Sequence, residues 1–391
     1  MFRERFQILK NHSDNPFIYF DNAATFLRLD SALSAPVHYY ENFNANPLRG
    51  LYENSVKSTE ILDAARAEIA HFIGAEKSEI IFTRNTTESL NLLAASVQKL
   101  ISTQKILIDL NSHHSNLLPF TERYPDQVII KENFLGNYPI ADDVGLVVLT
   151  GMSNISGEIF TAKITELKQN FNGLISVDAA QLIAHEKIDV HKLGVDFLAF
   201  SGHKIGSSMG VGILYVKKSL LDQLTPVNYG GEMVDSVRLV HSGYMKVIPE
   251  FSAAPQKFEG GTVNLGGIIS LSETVKFWQK HNKTGALFQQ VTDLTHLMVT
   301  EMKKLPNIEI YFANHGIISF NITGVHPHDT AQILANHGIM VRAGYHCAEP
   351  FLRHHKIGPV VRASLAFYNA VEEISYFFQI LEIVRTEMGL K

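Results

Sequence analysis

Lys204 is the residue of this sequence whose type and setting most directly suggest chemistry. It ends the motif Ser201-Gly202-His203-Lys204, which follows the mostly apolar run Val195–Phe200. This pattern is typical of a buried strand that delivers a lysine to the end of a sheet, where α/β proteins hold their ligands. A desolvated amine loses its charge more easily and attacks a carbonyl to form a Schiff base. Pyridoxal phosphate (PLP) is the usual aldehyde for such a lysine, and a solvated lysine in a glycine-rich loop is the alternative.

Asp178 gives a second chemical signal, because it directly follows the apolar run Leu174–Val177. A carboxylate at the end of a buried strand is costly unless it meets a cation, and the protonated nitrogen of a pyridine ring is such a cation. A helix N-cap is the alternative for Asp178 taken alone. The combination of Asp178 with Lys204 at successive strand ends favours a shared site.

Thr86 and Thr87 mark a candidate anion site. They lie between a predicted strand, Glu79–Thr83, and a helical run, Ser89–Leu100. Free backbone N–H groups and threonine hydroxyls at such a helix start bind phosphate groups, and an ordinary helix cap is the alternative.

Short apolar runs separated by helix-length segments organise the first half of the chain. They are Glu79–Thr83, Lys105–Leu110, Val144–Leu149, Leu174–Val177, Val195–Phe200 and Val211–Val216. This alternation predicts an α/β fold with a mostly parallel sheet and helices on both faces. Because polar clusters come at the strand ends, one ligand is expected to contact most of them.

The length and composition of the chain limit its class. With 391 residues it exceeds what one hydrophobic core supports, so we expect a large domain at 17–266 and a small α/β domain formed by 1–16 and 267–391. The hydrophobic and charged fractions, 46% and 19%, are those of a soluble globular enzyme and exclude a disordered chain. A net charge of −5 gives no reason to expect nucleic acid or an anionic membrane as partner. The absence of a long apolar run leads us to expect a cytoplasmic protein.

Cys347 is the only cysteine of the chain. It therefore forms no internal disulfide and belongs to no multi-cysteine metal site, which leaves a small buried side chain or a reactive thiol. A metal site that combines Cys347 with His354 and His355 is a further alternative.

Ordered sequence blocks extend from about residue 17 to the C-terminus. They are DNAAT (Asp21–Thr25), RNTTE (Arg84–Glu88), HHSN (His113–Asn116), SNISG (Ser153–Gly157), VDAAQ (Val177–Gln181), SGHK (Ser201–Lys204), FEGGTVN (Phe258–Asn264) and RAGYHCAEP (Arg342–Pro350). In this order they resemble the class V aminotransferase family of PLP enzymes. The short cysteine block is most similar to that of the group II, or SUF-type, cysteine desulfurases and selenocysteine lyases.

The resemblance implies PLP-dependent transferase fold type I, with a mostly parallel seven-stranded sheet in the large domain. It also implies one role for each matching residue. Lys204 matches the Schiff-base lysine, and Asp178 matches the partner of the pyridine nitrogen. Asn154 and Gln181 match the partners of the phenolic oxygen, and the phosphate ligands are matched by Thr86, Thr87, Ser201 and His203. His113, rather than His114, matches the histidine that stacks on the ring and moves protons. Thr262 matches a phosphate contact from a second subunit, which implies a homodimer.

The remaining matches concern the substrate, L-cysteine or L-selenocysteine. Arg362 matches the arginine that binds the α-carboxylate, a task suited to a planar guanidinium, with Arg342 and Asn154 nearby. A structural ion pair is the alternative for either arginine. Cys347, as a thiolate, matches the nucleophile that takes the sulfur as a persulfide and passes it to an acceptor protein, for example in iron–sulfur cluster assembly.

Other functions remain open from the sequence. They are a selenocysteine lyase, another class V enzyme such as an aminotransferase or epimerase, and a non-catalytic protein of sulfur trafficking. The loop after Lys204 departs from the family pattern, since Gly206-Ser207-Ser208 stand where an aromatic residue, glycine and proline are usual. This departure concerns the dimer contact and the entrance of the site.

Overall fold

The computed structural model describes residues 2–12, 16–136, 139–241 and 243–390. The strands are β1 (Ile18–Tyr19), β2 (Ile80–Thr83), β3 (Lys105–Asp109), β4 (Val128–Lys131), β5 (Val144–Thr150), β6 (Leu174–Asp178), β7 (Phe197–Ser201), β8 (Gly212–Val216), β9 (Val234–His241), β10 (Met245–Phe251), β11 (Ile308–Asn314), β12 (Ile317–Ile322), β13 (Ile339–Met340), β14 (Arg342–Gly344) and β15 (Val360–Ser364). The α-helices are α1 (Gln7–Asn11), α2 (Asp30–Asn42), α3 (Glu53–Phe72), α4 (Thr86–Ser96), α5 (Gln98–Ile101), α6 (His114–Arg123), α7 (Thr161–Asn170), α8 (Val190–Leu193), α9 (Leu265–His281), α10 (Ala286–Met302), α11 (Pro327–Asn336), α12 (Glu349–His354) and α13 (Val371–Glu387).

The central sheet of the described residues has seven strands in the order β2-β8-β7-β6-β5-β3-β4. β8 is antiparallel to both of its neighbours, and the other neighbouring pairs are parallel. β5 is buried at every position, which explains why its sequence is a continuous apolar run rather than an alternating one. The prediction of an α/β fold with a mostly parallel sheet is confirmed.

Strand register places Asp178 at the side of the sheet where the parallel strands have their carboxyl ends. Its Cα pairs with that of Thr150 on one side and with that of Ala199 on the other. Ser201 ends the next strand and pairs with Gly212. The polar residues that follow the strands therefore lie along one edge, as carboxyl ends of parallel strands do.

A second, antiparallel sheet has the order β11-β12-β15-β14. In it Arg342 of β14 lies directly opposite Arg362 of β15. A bridge between Asp21 and Ser364 joins the segment after β1 to the end of β15. This sheet thus carries both predicted substrate-binding arginines, and the chain that leaves β14 leads to Cys347 three residues later.

Helix α9 packs against α2 and α3, and its Trp278 belongs to the same apolar cluster as Phe200 and Ile213 of the central sheet. The indole N–H of Trp278 donates to the carbonyl of Ile205 across 2.9 Å. The predicted boundary between the two domains, at residue 267, falls within α9. The division into two domains stays a prediction.

Some strands were not predicted from the sequence. β4 lies at the edge of the central sheet and is only partly buried. β9 and β10 form a separate hairpin whose side chains are mostly exposed. None of the helices within the described ranges is long and apolar enough to cross a membrane.

Candidate active site

A cavity of about 550 Å³ opens at the carboxyl ends of the central strands, beneath the second sheet. The predicted site residues that line it are Thr86, Thr87, His113, Asn154, Asp178, Gln181, Ser201, His203, Lys204, Arg342, Cys347 and Arg362. Thr262 is exposed and lines a separate small crevice with Arg66 and Glu259. The fold therefore gathers every predicted site residue except Thr262.

Lys204 follows β7 in a short 3₁₀ turn, Gly202–Lys204. Its Nζ donates a hydrogen bond to the carbonyl oxygen of Ala23 across 2.7 Å. Desolvation, and after it the positive charge of Arg362, lowers the pKa of Lys204 to about 8. About a tenth of this amine is therefore neutral and nucleophilic at pH 7, far more than for an ordinary lysine.

Asp178 is buried at the end of β6, and its Oδ1 accepts the backbone N–H of Ala180 across 2.9 Å. Burial raises the pKa of this carboxyl group to about 6. Among the described residues it forms no ion pair, so it is a buried acid that faces the cavity without a direct cationic partner. A positively charged ligand atom would favour its ionised form.

Hydroxyl groups cluster where α4 begins. The Oγ1 of Thr86 lies 2.7 Å from the Oγ of Ser201, and the Oγ1 of Thr87 lies 2.8 Å from the Oγ of Ser115. Gly212 allows the start of α4 to lie this close to the sheet. A Cβ at position 212 would lie 2.6 Å from the Cα of Asn85, the N-cap of α4. The helix start and the hydroxyls together have the chemistry that suits an anion, and their contact with a phosphate group stays a prediction.

His203 and His113 border the cavity. The Nδ1 of His203 lies 3.0 Å from the Oγ1 of Thr25, and the Nδ1 of His113 accepts the backbone N–H of Ser115 across 3.0 Å. Burial lowers the pKa of each histidine to about 4, with a further contribution from Lys204. Both rings are therefore neutral at pH 7, and the proton of His113 is on Nε2.

Asn154 and Gln181 each donate to a backbone carbonyl in this structure. The Nδ2 of Asn154 donates to His346 across 2.8 Å, and the Nε2 of Gln181 donates to Ala23 across 2.8 Å. A side-chain amide has two N–H donors, so these bonds do not use the full capacity of either group. Their predicted contact with a phenolic oxygen stays a prediction.

The chemistry of the cavity fits PLP. The hydroxyl cluster at the start of α4 suits the phosphate group, buried Asp178 lacks the cation that a pyridine nitrogen supplies, and Lys204 is an amine with a lowered pKa. These three features suit three different parts of one ligand, and the role of each residue toward it stays a prediction.

Cys347 is exposed at the mouth of the cavity, on a loop with unusual backbone angles. His346 and Cys347 have φ values of +50° and +56°, in the left-handed region that costs a non-glycine residue on the order of 1 kcal/mol or more. The carbonyl of Cys347 accepts from the backbone N–H of His114 across 2.8 Å, and the Nε2 of His346 lies 3.0 Å from the carbonyl oxygen of Val360. Burial lowers the pKa of His346 to about 3, so this ring is neutral.

Arg362 is buried, whereas Arg342 is exposed at the edge of its sheet. The carboxylate of Asp21 lies between them, 2.9 Å from Nη2 of Arg342 and 3.6 Å from Nη2 of Arg362. Burial lowers the pKa of Arg362 to about 10, and the hydrogen bonds that Arg342 donates to the carboxylate of Asp21 raise the pKa of Arg342.

His354 and His355 do not reach Cys347 in the structure. Their Nε2 atoms lie 3.2 Å and 2.6 Å from the carboxylate of Glu132. Within the described part of the chain, no group of three or more His, Cys, Asp or Glu side chains is arranged to hold a metal ion.

The sequence analysis assigns no site role to Thr25 or Ser115, which line the cavity, or to Asp21, which pairs with Arg342 and Arg362. Asp21 and Thr25 belong to the DNAAT block directly after β1, and this position at a strand end is the signal that could have identified them. The loop after Lys204 is held by α9, because the Oγ of Ser270 accepts the backbone N–H of Ser208 across 2.9 Å.

Comparison with known proteins agrees with this geometry. The family model described as "Aminotransferase class-V" matches residues 18–377. A probable cysteine desulfurase of Pyrococcus abyssi is 36% identical to this chain over 93% of each sequence. The apo structure of a cysteine desulfurase from Thermococcus onnurineus NA1 superposes with a TM-score of 0.87, at 31% identity, over 98% of this chain and 97% of the other. The Escherichia coli cysteine desulfurase CsdA gives a TM-score of 0.86, at 28% identity, over 99% and 98%.

The fold and the cavity therefore define a class V aminotransferase-type enzyme. This chain belongs to the class V aminotransferase family. The family resemblance seen in the sequence blocks is confirmed.

Proposed function

We propose that this chain is a PLP-dependent cysteine desulfurase, which converts L-cysteine to L-alanine and transfers the sulfur atom first to its own Cys347. The observation that carries the proposal is that Lys204, Asp178 and Cys347, distant in sequence, line one cavity. Relatives at 31–36% identity over most of the chain are named cysteine desulfurase or probable cysteine desulfurase, which supports the same activity.

PLP, when bound, supplies an electron sink that weakens bonds at the substrate carbon atoms next to the amino group. Asp178 stabilises the positive charge on the nitrogen of that sink, because a buried carboxylate favours a cation beside it. Lys204 accepts the α-proton through its neutral amine and returns it, a task for which its lowered pKa is suited. Arg362 holds the α-carboxylate of the substrate through parallel N–H donors.

The sulfur step belongs to Cys347. Its thiolate attacks the sulfur atom of the substrate, so that a new S–S bond forms while the C–S bond breaks. The electron pair of the C–S bond stays with the carbon fragment, which takes up protons and leaves as alanine. The sulfur remains on the enzyme as a persulfide of Cys347, whose exposed position suits transfer to an acceptor thiol.

Several parts of the proposal concern partners. Thr262 lies outside the cavity of its own chain, which supports a homodimer in which it reaches the phosphate site of the second subunit. An acceptor protein with a free thiol would receive the persulfide, for example for iron–sulfur clusters. A thiol that must stay reduced between turnovers supports a location in the cytoplasm.

The test is the release of alanine and sulfide from L-cysteine by the wild type, Cys347→Ala and Lys204→Ala. Cys347→Ala should keep bound PLP and lose sulfide release, and Lys204→Ala should lose both products. Lys218→Ala is the control, because Lys218 is an exposed lysine that pairs with exposed Glu76. Full L-cysteine activity in Cys347→Ala would refute the assigned nucleophile. A different pair of results would indicate a selenocysteine lyase instead. In that case the wild type has no activity toward L-cysteine, and Cys347→Ala releases selenide from L-selenocysteine.

A further inference from the structure

The carbonyl segment, Asn154–Gly157, has four consecutive backbone carbonyl groups that accept hydrogen bonds from side chains of the second sheet and of its β11–β12 turn. The donors are Nη1 of Arg362 to Asn154 (3.0 Å), Oγ of Ser319 to Ile155 (2.8 Å), Nδ2 of Asn314 to Ser156 (2.8 Å) and Nδ1 of His315 to Gly157 (3.0 Å). Among the described residues, no backbone N–H donates to any of these four carbonyl groups. The side chains of the second sheet therefore supply the partners that a helix or strand would take from its own backbone.

The carbonyl segment is fixed from two sides. Gly157, at its end, has a φ of +69°, and a Cβ there would lie 2.1 Å from the carbonyl oxygen of Asn314, so that only glycine allows the turn to approach so closely. On the other side, the Oγ of Ser153 donates to the Oδ1 of Asn111 across 2.8 Å, and Asn111 follows β3 of the central sheet. The segment thus joins the second sheet to the central one.

The carbonyl segment also contacts the chain on both sides of Cys347. The Nδ2 of Asn154 donates to the carbonyl of His346 across 2.8 Å. Ile155 is fully buried in a small apolar cluster with Ala348 and two side chains of α12. The left-handed backbone angles of His346 and Cys347 persist only where the surrounding contacts hold them. The position of the thiol therefore depends on the segment.

We propose that Ser319 and Asn314 are positioning residues for sulfur transfer, which hold the carbonyl segment in place and, through it, the loop that carries Cys347. Ser319 is fully buried, so without its hydroxyl the carbonyl of Ile155 is left in the interior with no donor, at a cost larger than the net gain from the bond. The segment then shifts, and with it the contacts on both sides of Cys347. This inference rests on the proposed function, because it takes Cys347 as the residue that receives the sulfur.

The first test separates a reaction that needs Cys347 from one that does not. Exchange of the α-proton of L-alanine in heavy water, measured by proton NMR, needs bound PLP and Lys204, whereas sulfide release from L-cysteine also needs the thiol. Ser319→Ala should lower kcat for sulfide release by about tenfold and leave α-proton exchange at saturating L-alanine within about twofold of the wild type. Equal losses in the two reactions, or no loss in sulfide release, would overturn the inference.

The second test uses the protein without cofactor and does not depend on its activity. Hydrogen exchange, followed by mass spectrometry, compares the peptide that contains Cys347 with a peptide from β7 of the central sheet. Ser319→Ala should speed exchange in the Cys347 peptide by about tenfold and leave β7 unchanged, because only the loop loses its support. Unchanged exchange in the Cys347 peptide would overturn the inference. Equal acceleration in both peptides would also overturn it, since Ser319 would then act through overall stability.

Asn314→Ala keeps the inference testable if Ser319→Ala does not fold. Asn314 is exposed at the end of β11, and the substitution removes its bond to Ser156. It should slow sulfide release and speed exchange in the Cys347 peptide, each by a factor of about three. The absence of both effects would overturn the inference.

Thr330→Val is the control for both tests. Thr330 is a buried residue of α11, and its hydroxyl has no hydrogen-bond partner among the described residues, so both measurements should equal those of the wild type. Failure of the wild type to form alanine from L-cysteine would refute the proposed function instead. Hydrogen exchange would still test whether Ser319 supports the loop.

Discussion

The backbone N–H of His114 donates to the carbonyl oxygen of Cys347 across 2.8 Å. His114 is the first residue of α6, and the first N–H groups of a helix have no acceptor within the helix. The loop that carries the thiol thus satisfies a helix terminus, which holds Cys347 next to His113 at the wall of the cavity.

His114→Pro tests this contact. Proline is tolerated at the first position of a helix, and His113 already has the extended angles, φ −60° and ψ 149°, that a residue before proline requires. The variant should keep α6 and bound PLP, and lose up to about tenfold in the rate of sulfide release, as expected for one hydrogen bond. His114→Ala keeps the N–H and is the control. Equal rates in both variants would show that the bond does not position the thiol.

The pKa of Lys204 predicts how cofactor uptake depends on pH. The neutral amine is the reactive form, and because the pKa is lowered to about 8, its fraction increases as the pH rises through 8. The rate at which the protein without cofactor takes up PLP should therefore rise between pH 7 and about 9 and then level off. Stopped-flow absorbance measures this rate. A rate that continues to rise to the ordinary lysine pKa, without levelling off near pH 9, would contradict the account.

Asp178→Asn tests the role of the buried acid. The amide keeps the shape and cannot hold a negative charge, so kcat should fall by about a hundredfold or more. Asp109→Asn is a matched control, because Asp109 is also a buried acid at the end of a central strand, with a pKa raised to about 6 by burial. Steady-state alanine formation decides the point. An equal loss in both variants would mean that Asp178 acts only through the fold.

A buried ion pair holds the segment that leads to Thr262. Arg66 donates to both carboxylate oxygens of Glu259 at 2.7 Å and 2.8 Å, and both side chains are about 4% exposed. Arg66→Met leaves Glu259 buried without its partner and should lower the free energy of unfolding by about 3–5 kcal/mol. The double variant Arg66→Met/Glu259→Leu should recover part of this loss. Chemical denaturation measures both, and a single variant as stable as the wild type would refute the prediction.

The sequence predicts six of the seven strands of the central sheet because these six are largely buried, whereas the partly exposed edge strand β4 was missed. A fully buried strand such as β5 gives an unbroken apolar run, and the polar residues after such runs mark the edge where the ligand binds. Lys204, Asp178 and Thr86 were therefore found from local patterns. The hairpin of β9 and β10 was missed, because its exposed side chains do not give the pattern of a strand packed on a core.

Long-range electrostatics and backbone strain could not be predicted from local patterns. Asp21 and Arg342 are 321 positions apart, and only the register of β14 against β15 brings their charges together. The left-handed angles of His346 and Cys347 occur without glycine at either position, so no residue type announces them. Both features arise from tertiary contacts.

The central claim is that the sulfur atom of L-cysteine passes through Cys347. Its most direct test is mass spectrometry of the peptide that contains Cys347, after the holoenzyme has reacted with L-cysteine and free thiols have been blocked by alkylation. We predict an added sulfur atom on Cys347 in the wild type and none in Lys204→Ala. Formation of alanine without any added sulfur on Cys347 would contradict the account.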